Sequence, residues 1–199
     1  VNERPPRSPS RRGRLIAAGA AASLLVVAAL ATVTAPSEDE IQTPLKITGA
    51  IGETVASRQT ELVVHGVTVA EELAFGEAGA PPSETTGAWV VVDVTTVCRL
   101  TSCSFARSEL RMGGRSFAAA TIAPLPSFVA QAPSPGLRYR SSALFEVPRD
   151  ALQAGTAEFV LQISETTALD SVAVVRFDLP TDVSPTAEVR APELARDAS

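Results

Sequence analysis

The chain has 199 residues, 45% of them apolar and 20% charged, and a formal net charge of −5. Its first fourteen residues carry Arg4, Arg7, Arg11, Arg12 and Arg14 against Glu3, a net +4; residues 15–35 are uncharged, so the remainder carries −9. An acidic remainder repels phosphate backbones, which argues against nucleic-acid binding, and as a whole it gains little from anionic lipid headgroups.

Residues 1–14 are rich in Pro, Ser and Arg and too short to bury a core, so they are expected to form a basic cytoplasmic stub. Residues 15–35 form an uninterrupted apolar run. As a helix this run would reach about 31 Å, close to the ~30 Å of bilayer hydrocarbon. Arginines accumulate on the cytoplasmic side of a membrane helix, so the chain beyond residue 35 is expected outside the cytoplasm. Two readings stay open. In one, the run is a transmembrane signal-anchor and the protein is single-pass in the cell membrane. In the other, it is a signal peptide cut after the small residues of Ala29-Leu30-Ala31, and the protein is secreted. Residues 36–44 read as a polar linker, 45–180 as one domain, and 181–199, punctuated by Pro185 and Pro192, as a flexible tail.

Within the domain, Val-, Thr-, Ile- and Phe-rich runs recur between turn residues, at 45–50, 61–69, 89–98, 105–112, 115–120, 138–147, 157–163 and 172–179. Their short spacing and alternation predict strands, and a helix is expected only near 149–153, after Pro148. In the third run Val90, Val92, Val94 and Thr96 share one face, with Trp89, Val91, Asp93 and Thr95 on the other. Both faces are largely apolar, which predicts a central strand with the Trp covered by a loop. Gly113-Gly114 supplies two residues free to take positive φ, as a tight hairpin demands. Strands at this spacing with no crossover helices predict an all-β, antiparallel sandwich of about seven to eight strands, preceded by the one N-terminal transmembrane or signal helix.

Three stretches occur together: Gly87-Ala88-Trp89-Val90-Val91-Val92-Asp93-Val94-Thr95, then Leu110-Arg111-Met112-Gly113-Gly114-Arg115-Ser116-Phe117, then Gly136 followed by Leu144-Phe145-Glu146-Val147-Pro148. In that order they resemble a family of bacterial extracytoplasmic immunoglobulin-like domains of unknown function, over roughly residues 48–180. The resemblance implies an immunoglobulin-like sandwich and an exported or membrane-anchored protein. It transfers no catalytic residue. The chain departs from the family at Cys98-Arg99-Leu100-Thr101-Ser102-Cys103, where members carry an Asn-containing turn.

Two cysteines with four residues between them, in a domain expected to face an oxidising space, predict a disulfide between Cys98 and Cys103. The spacing is not that of a redox motif, so a local staple is expected. His65 is the sole histidine, which leaves neither a multi-histidine metal site nor a serine-histidine-aspartate triad well supported; its ordinary reading is a sheet or loop side chain with a satisfied hydrogen bond. Phosphate-cradling glycine loops and calcium-loop spacings are missing. No cofactor, metal or catalytic residue is therefore expected. Residues 121–136 contain four prolines yet carry Leu125, Phe128 and Val129. Such a loop either folds back to cap one end of the sandwich or presents an apolar patch, and these three residues, with the cysteine turn, are the candidate contacts for a partner. The expected function is a non-enzymatic interaction or assembly module, held at the membrane through residues 15–35 and meeting an envelope protein partner. The alternatives are a freely secreted binding protein and an envelope hydrolase with an unrecognised site.

Overall fold

Each of the eight runs expected to be extended forms a strand in the computed structural model, which describes residues 23–24, 44–76, 82–105, 107–122, 128–130, 132–162 and 171–195. The chain divides into two units, Val1–Ile41 and Gln42–Ser199. In the first, Ser23 and Leu24 are helical. The rest of the apolar run at 15–35 and the linker up to residue 43 lie outside the described residues. No helix among the described residues is long and apolar enough to cross a membrane.

The second unit is a two-sheet β-sandwich. Its strands are β1 (Leu45–Gly49), β2 (Thr54–Ala56), β3 (Thr60–Ala74), β4 (Ser83–Cys98), β5 (Arg107–Met112), β6 (Arg115–Ala118), β7 (Arg138–Val147), β8 (Thr156–Gln162), β9 (Ser171–Asp178), β10 (Ser184–Glu188) and β11 (Glu193–Leu194). One sheet has the order β1-β9-β8-β5-β6; the other has the order β10-β3-β4-β7-β11, with β2 also paired to β3. The expected helix after Pro148 is a 3-10 turn, Arg149–Ala154. Gly113 and Gly114 take φ of 55° and 75° and close the β5–β6 hairpin, in which Met112 lies opposite Arg115.

Alternation in the strands decides which side chains meet between the sheets. Val90, Val92 and Val94 of β4 point inward with Leu62, Val64 and Val69 of β3 and with Ala143 and Phe145 of β7. They pack on Leu110, Phe159, Leu161, Ala173 and Val175 from the opposite sheet. Phe128 closes one end of this core: its ring stacks on Phe105 at 4.8 Å between centroids and tilts against Phe159 at 6.3 Å. Burying a large apolar side chain contributes roughly 1.5–3 kcal/mol, so these rows dominate the sandwich's stability.

Two sequence expectations are corrected. Pairing is not wholly antiparallel, because β1 runs parallel to β9 and β10 parallel to β3. Nor is residue 181 the start of a loose tail. β10 and β11 extend the six-stranded sheet at its two edges, and the segment between them forms a strap linking the edge at β3 to the edge at β7. Pro185 signals a break on paper, but β10 is an edge strand, where a missing N–H is tolerated. The strap also answers why Trp89 can face outward. Its ring is 4% exposed, packed in a second cluster with Leu73, Phe75, Leu144, Ala187 and Val189, and its Nε1–H donates to the Ser83 carbonyl oxygen at 3.2 Å.

Candidate functional site

The outer face of the six-stranded sheet is apolar around Trp89 and polar beyond it, and the polar half forms a cleft of about 380 Å³. Its floor is set by a β-bulge. The β3–β4 register breaks between Val64 and Gly66, which leaves His65 as the extra residue opposite β4. The bulge lets His65 Nε2 meet the Thr95 hydroxyl at 2.8 Å, the satisfied hydrogen bond expected of it.

Asp93, outward on β4, lies opposite Ser142 of β7, and Arg140 is two residues further along β7 on the same face. That diagonal is within reach of a guanidinium. Arg140 grips Asp93 through both oxygens, with Nε donating to Oδ1 at 3.1 Å and Nη2 to Oδ2 at 2.6 Å. From above, the strap contributes Arg190, whose Nε lies 4.0 Å from Asp93 Oδ1 and whose Nη1 donates to Glu193 Oε1 at 2.8 Å. The strap's backbone is fixed at the same point. Arg190 N–H donates to Ser142 Oγ at 3.0 Å, and Ser142 N–H to the Arg190 carbonyl oxygen at 3.1 Å. Glu188 also lines the cleft.

Electrostatics follow from this packing. Burial, then the Arg140 charge, holds the His65 imidazole below its ordinary value, with Asp93 opposing. The hydrogen bond to Asp93 raises the Arg140 guanidinium above its ordinary value. Arg140 engages both oxygens of Asp93, which fixes the carboxylate's orientation on the sheet. Among the described residues no group of three His, Cys, Asp or Glu side chains is placed to hold a metal ion. What the cleft offers is a set of half-exposed, oriented donors and acceptors on a rigid sheet. A larger depression of about 700 Å³ lies on the other sheet, beside Gly113 and Gly114, but its main charges are matched within it or next to it, Arg176 with Glu158 and Arg111 with Glu109.

The residues singled out from the sequence fall elsewhere. Cys98 and Cys103 form a disulfide that staples the turn from β4 to β5, and both are buried in the core. Gly136 N–H donates to the Cys98 carbonyl oxygen, so the Pro-rich loop and the cysteine turn do meet at one end of the sandwich. Phe128, offered as a partner contact, is corrected to a core residue: it is 3% exposed, because the Phe105 ring takes its face. Val129 is half-buried against the same core, and Leu125 lies outside the described residues. Sequence reading did not assemble Asp93, Arg140 and Arg190 into a site. The available signal was a carboxylate in the middle of a valine-rich run.

No family model matches the chain, and no curated protein matches it. Among solved structures it is similar to the yjhA protein from Bacillus subtilis, at 15% identity and a TM-score of 0.44 over 63% of this chain and 98% of that one. It is also similar to an uncharacterized β-sandwich protein from Clostridium difficile 630, at 9% identity and a TM-score of 0.45 over 70% of this chain and 99% of that one.

Proposed function

We propose that this chain is a non-enzymatic, membrane-anchored immunoglobulin-like domain that works outside the cytoplasm as an interaction or assembly module of the cell envelope, and that it meets its protein partner through the Asp93–Arg140–Arg190 cleft. The immunoglobulin-like part of the reading is supported by strand order. β3-β4-β7 against β9-β8-β5-β6 follows the A-B-E and G-F-C-C′ pattern of that architecture, allowing for one strand that changes sheets. Anchoring is supported by the apolar run at 15–35 with arginines ahead of it. The small residues at 29–31 favour the secreted alternative, which differs only in whether the leader is cut.

The single observation that carries the interaction reading is the half-exposed bidentate pair of Arg140 with Asp93, with Arg190 laid across it by the strap. Paired charges on a rigid sheet orient a partner and discriminate among partners more than they supply raw affinity. Photo-crosslinking in the native host tests it, with the reactive group at Thr68 in the cleft or at Glu109 on the opposite sheet. The expected result is one discrete adduct from Thr68, lost on Arg190→Glu, in a full-length membrane-bound species. Equal adducts from both positions, or none from Thr68, would sink the cleft as the contact surface. A truncated soluble species would sink the anchor.

A further inference from the structure

Six large apolar side chains of the sandwich are exposed among the described residues, and four of them, Leu45 (72%), Leu100 (65%), Leu137 (43%) and Leu194 (58%), gather at one end. Strand pairing and backbone hydrogen bonds tie them together. Leu45 lies opposite Ser171, whose hydroxyl accepts the Arg58 N–H at 2.7 Å. Arg99 N–H, next to Leu100, donates to the Gln59 carbonyl oxygen at 2.8 Å. Gly136 N–H, next to Leu137, donates to Cys98, and Leu194 lies opposite Tyr139. Lys46, Arg58 and Arg138 stand exposed at the same end, without an ion-pair partner among the described residues. This local character opposes the net −9 of the chain beyond residue 35. Leucines beside unpaired cations are the chemistry of an anionic lipid surface, where apolar tips enter the interface and basic heads meet phosphates.

We infer that this end of the sandwich docks on the anionic lipid surface of the membrane that anchors the chain. The inference rests on the anchored reading. The chain enters the domain at β1, at this same end, and the nine residues 36–44 reach at most about 30 Å from the apolar run. A tether that short confers a high effective concentration, so a weak surface suffices for docking. Docking would leave the cleft on the sheet's outer face turned sideways, open to a neighbour in the membrane.

The test uses the full chain in phosphatidylcholine vesicles with and without phosphatidylglycerol. Both native cysteines are in the disulfide, so Leu194→Cys or, at the opposite end, Asp150→Cys takes a single fluorophore. Headgroup spin-labelled lipid is expected to quench the Leu194 label strongly and the Asp150 label little. Arg58→Gln and Arg138→Gln are each expected to lower the docked-to-undocked ratio about fivefold in phosphatidylglycerol vesicles, and high salt to do the same. Leu100→Ser with Leu137→Ser, both outside the core, checks the apolar part. Equal quenching of the two labels in an anchored chain overturns the inference and leaves the anchor standing. If the chain is instead recovered as a cut, soluble species, the anchored reading fails. Flotation of that species then decides the surface on its own: binding to phosphatidylglycerol vesicles supports it, and no binding overturns it.

Discussion

Gly87 sits where β4 runs beside the end of β7, and a Cβ there would collide with the Val147 carbonyl oxygen. Carbonyl oxygens in a paired strand cannot yield as a flexible side chain can, so Gly87→Ala forces backbone apart. Gly66 is the control. It borders the His65 bulge, takes no positive φ, and an added Cβ would meet nothing within 4 Å. Gly87→Ala is expected to cost about 1–3 kcal/mol, the range for overpacking, whereas Gly66→Ala is expected to be neutral or to stabilise by up to ~1 kcal/mol through the unfolded chain. Urea unfolding of the two variants measures both. No loss in Gly87→Ala would mean that the close approach at Gly87 is relieved by movement of β7. The same residue-level contrast applies to charge. Arg140 and Asp93 form two charge-assisted bonds in fixed geometry, while exposed pairs such as Arg149 with Glu71 contribute little.

At the scale of elements, the C-terminal strap decides the state of the outer face. Ala187 and Val189 cover Trp89, and β10 extends the sheet at the edge of β3. Ending the chain at Pro180 removes both covers. Trp89 is the single tryptophan, so its emission reads the loss directly. A red shift is expected, with stability lowered by about 3 kcal/mol and the melting midpoint by roughly 6–12 °C. Unchanged emission would show that Phe75 and Leu73 cover the ring alone. The strap also marks the limit of what the sequence made legible. Runs such as Phe159, Leu161 and Ala173, Val175 announced their strands because alternation and β-branching persist over many residues. β10 and β11 have five and two residues, with Pro185 inside the first and Pro192 just before the second, so no periodicity could accumulate. Their pairing is decided by the edge they meet rather than by their own pattern. The cleft was hidden for a related reason. Asp93, Arg140 and Arg190 lie far apart in the chain, and only the β4–β7 register and the path of the strap bring them together. The disulfide, by contrast, depends on two local residues and a short turn, and it was legible.

At the scale of the whole molecule, the question is whether the sandwich stands on its own. Among the described residues, every buried apolar side chain lies between Val55 and Val189, and both core faces are supplied by strands of the second unit. A fragment of residues 42–199 is therefore expected to unfold in one cooperative transition, with a midpoint within about 3 °C of the full chain in detergent, since any shared packing of even 1 kcal/mol would move a domain of this size by roughly 2–4 °C. Calorimetry on the two forms checks this. A midpoint lower by 10 °C or more would mean that the N-terminal segment contributes side chains to the core, and the division of labour between an anchor and an independent sandwich would fall. A matching midpoint has a further consequence. Strand pairings that span most of the domain, such as β1 with β9 and β10 with β3, must close long loops before they stabilise anything. Refolding of the isolated unit is then expected on the slow, millisecond-to-second scale of non-local β folds. A rate equal to that of the full chain would make the two units independent in kinetics as well as in stability.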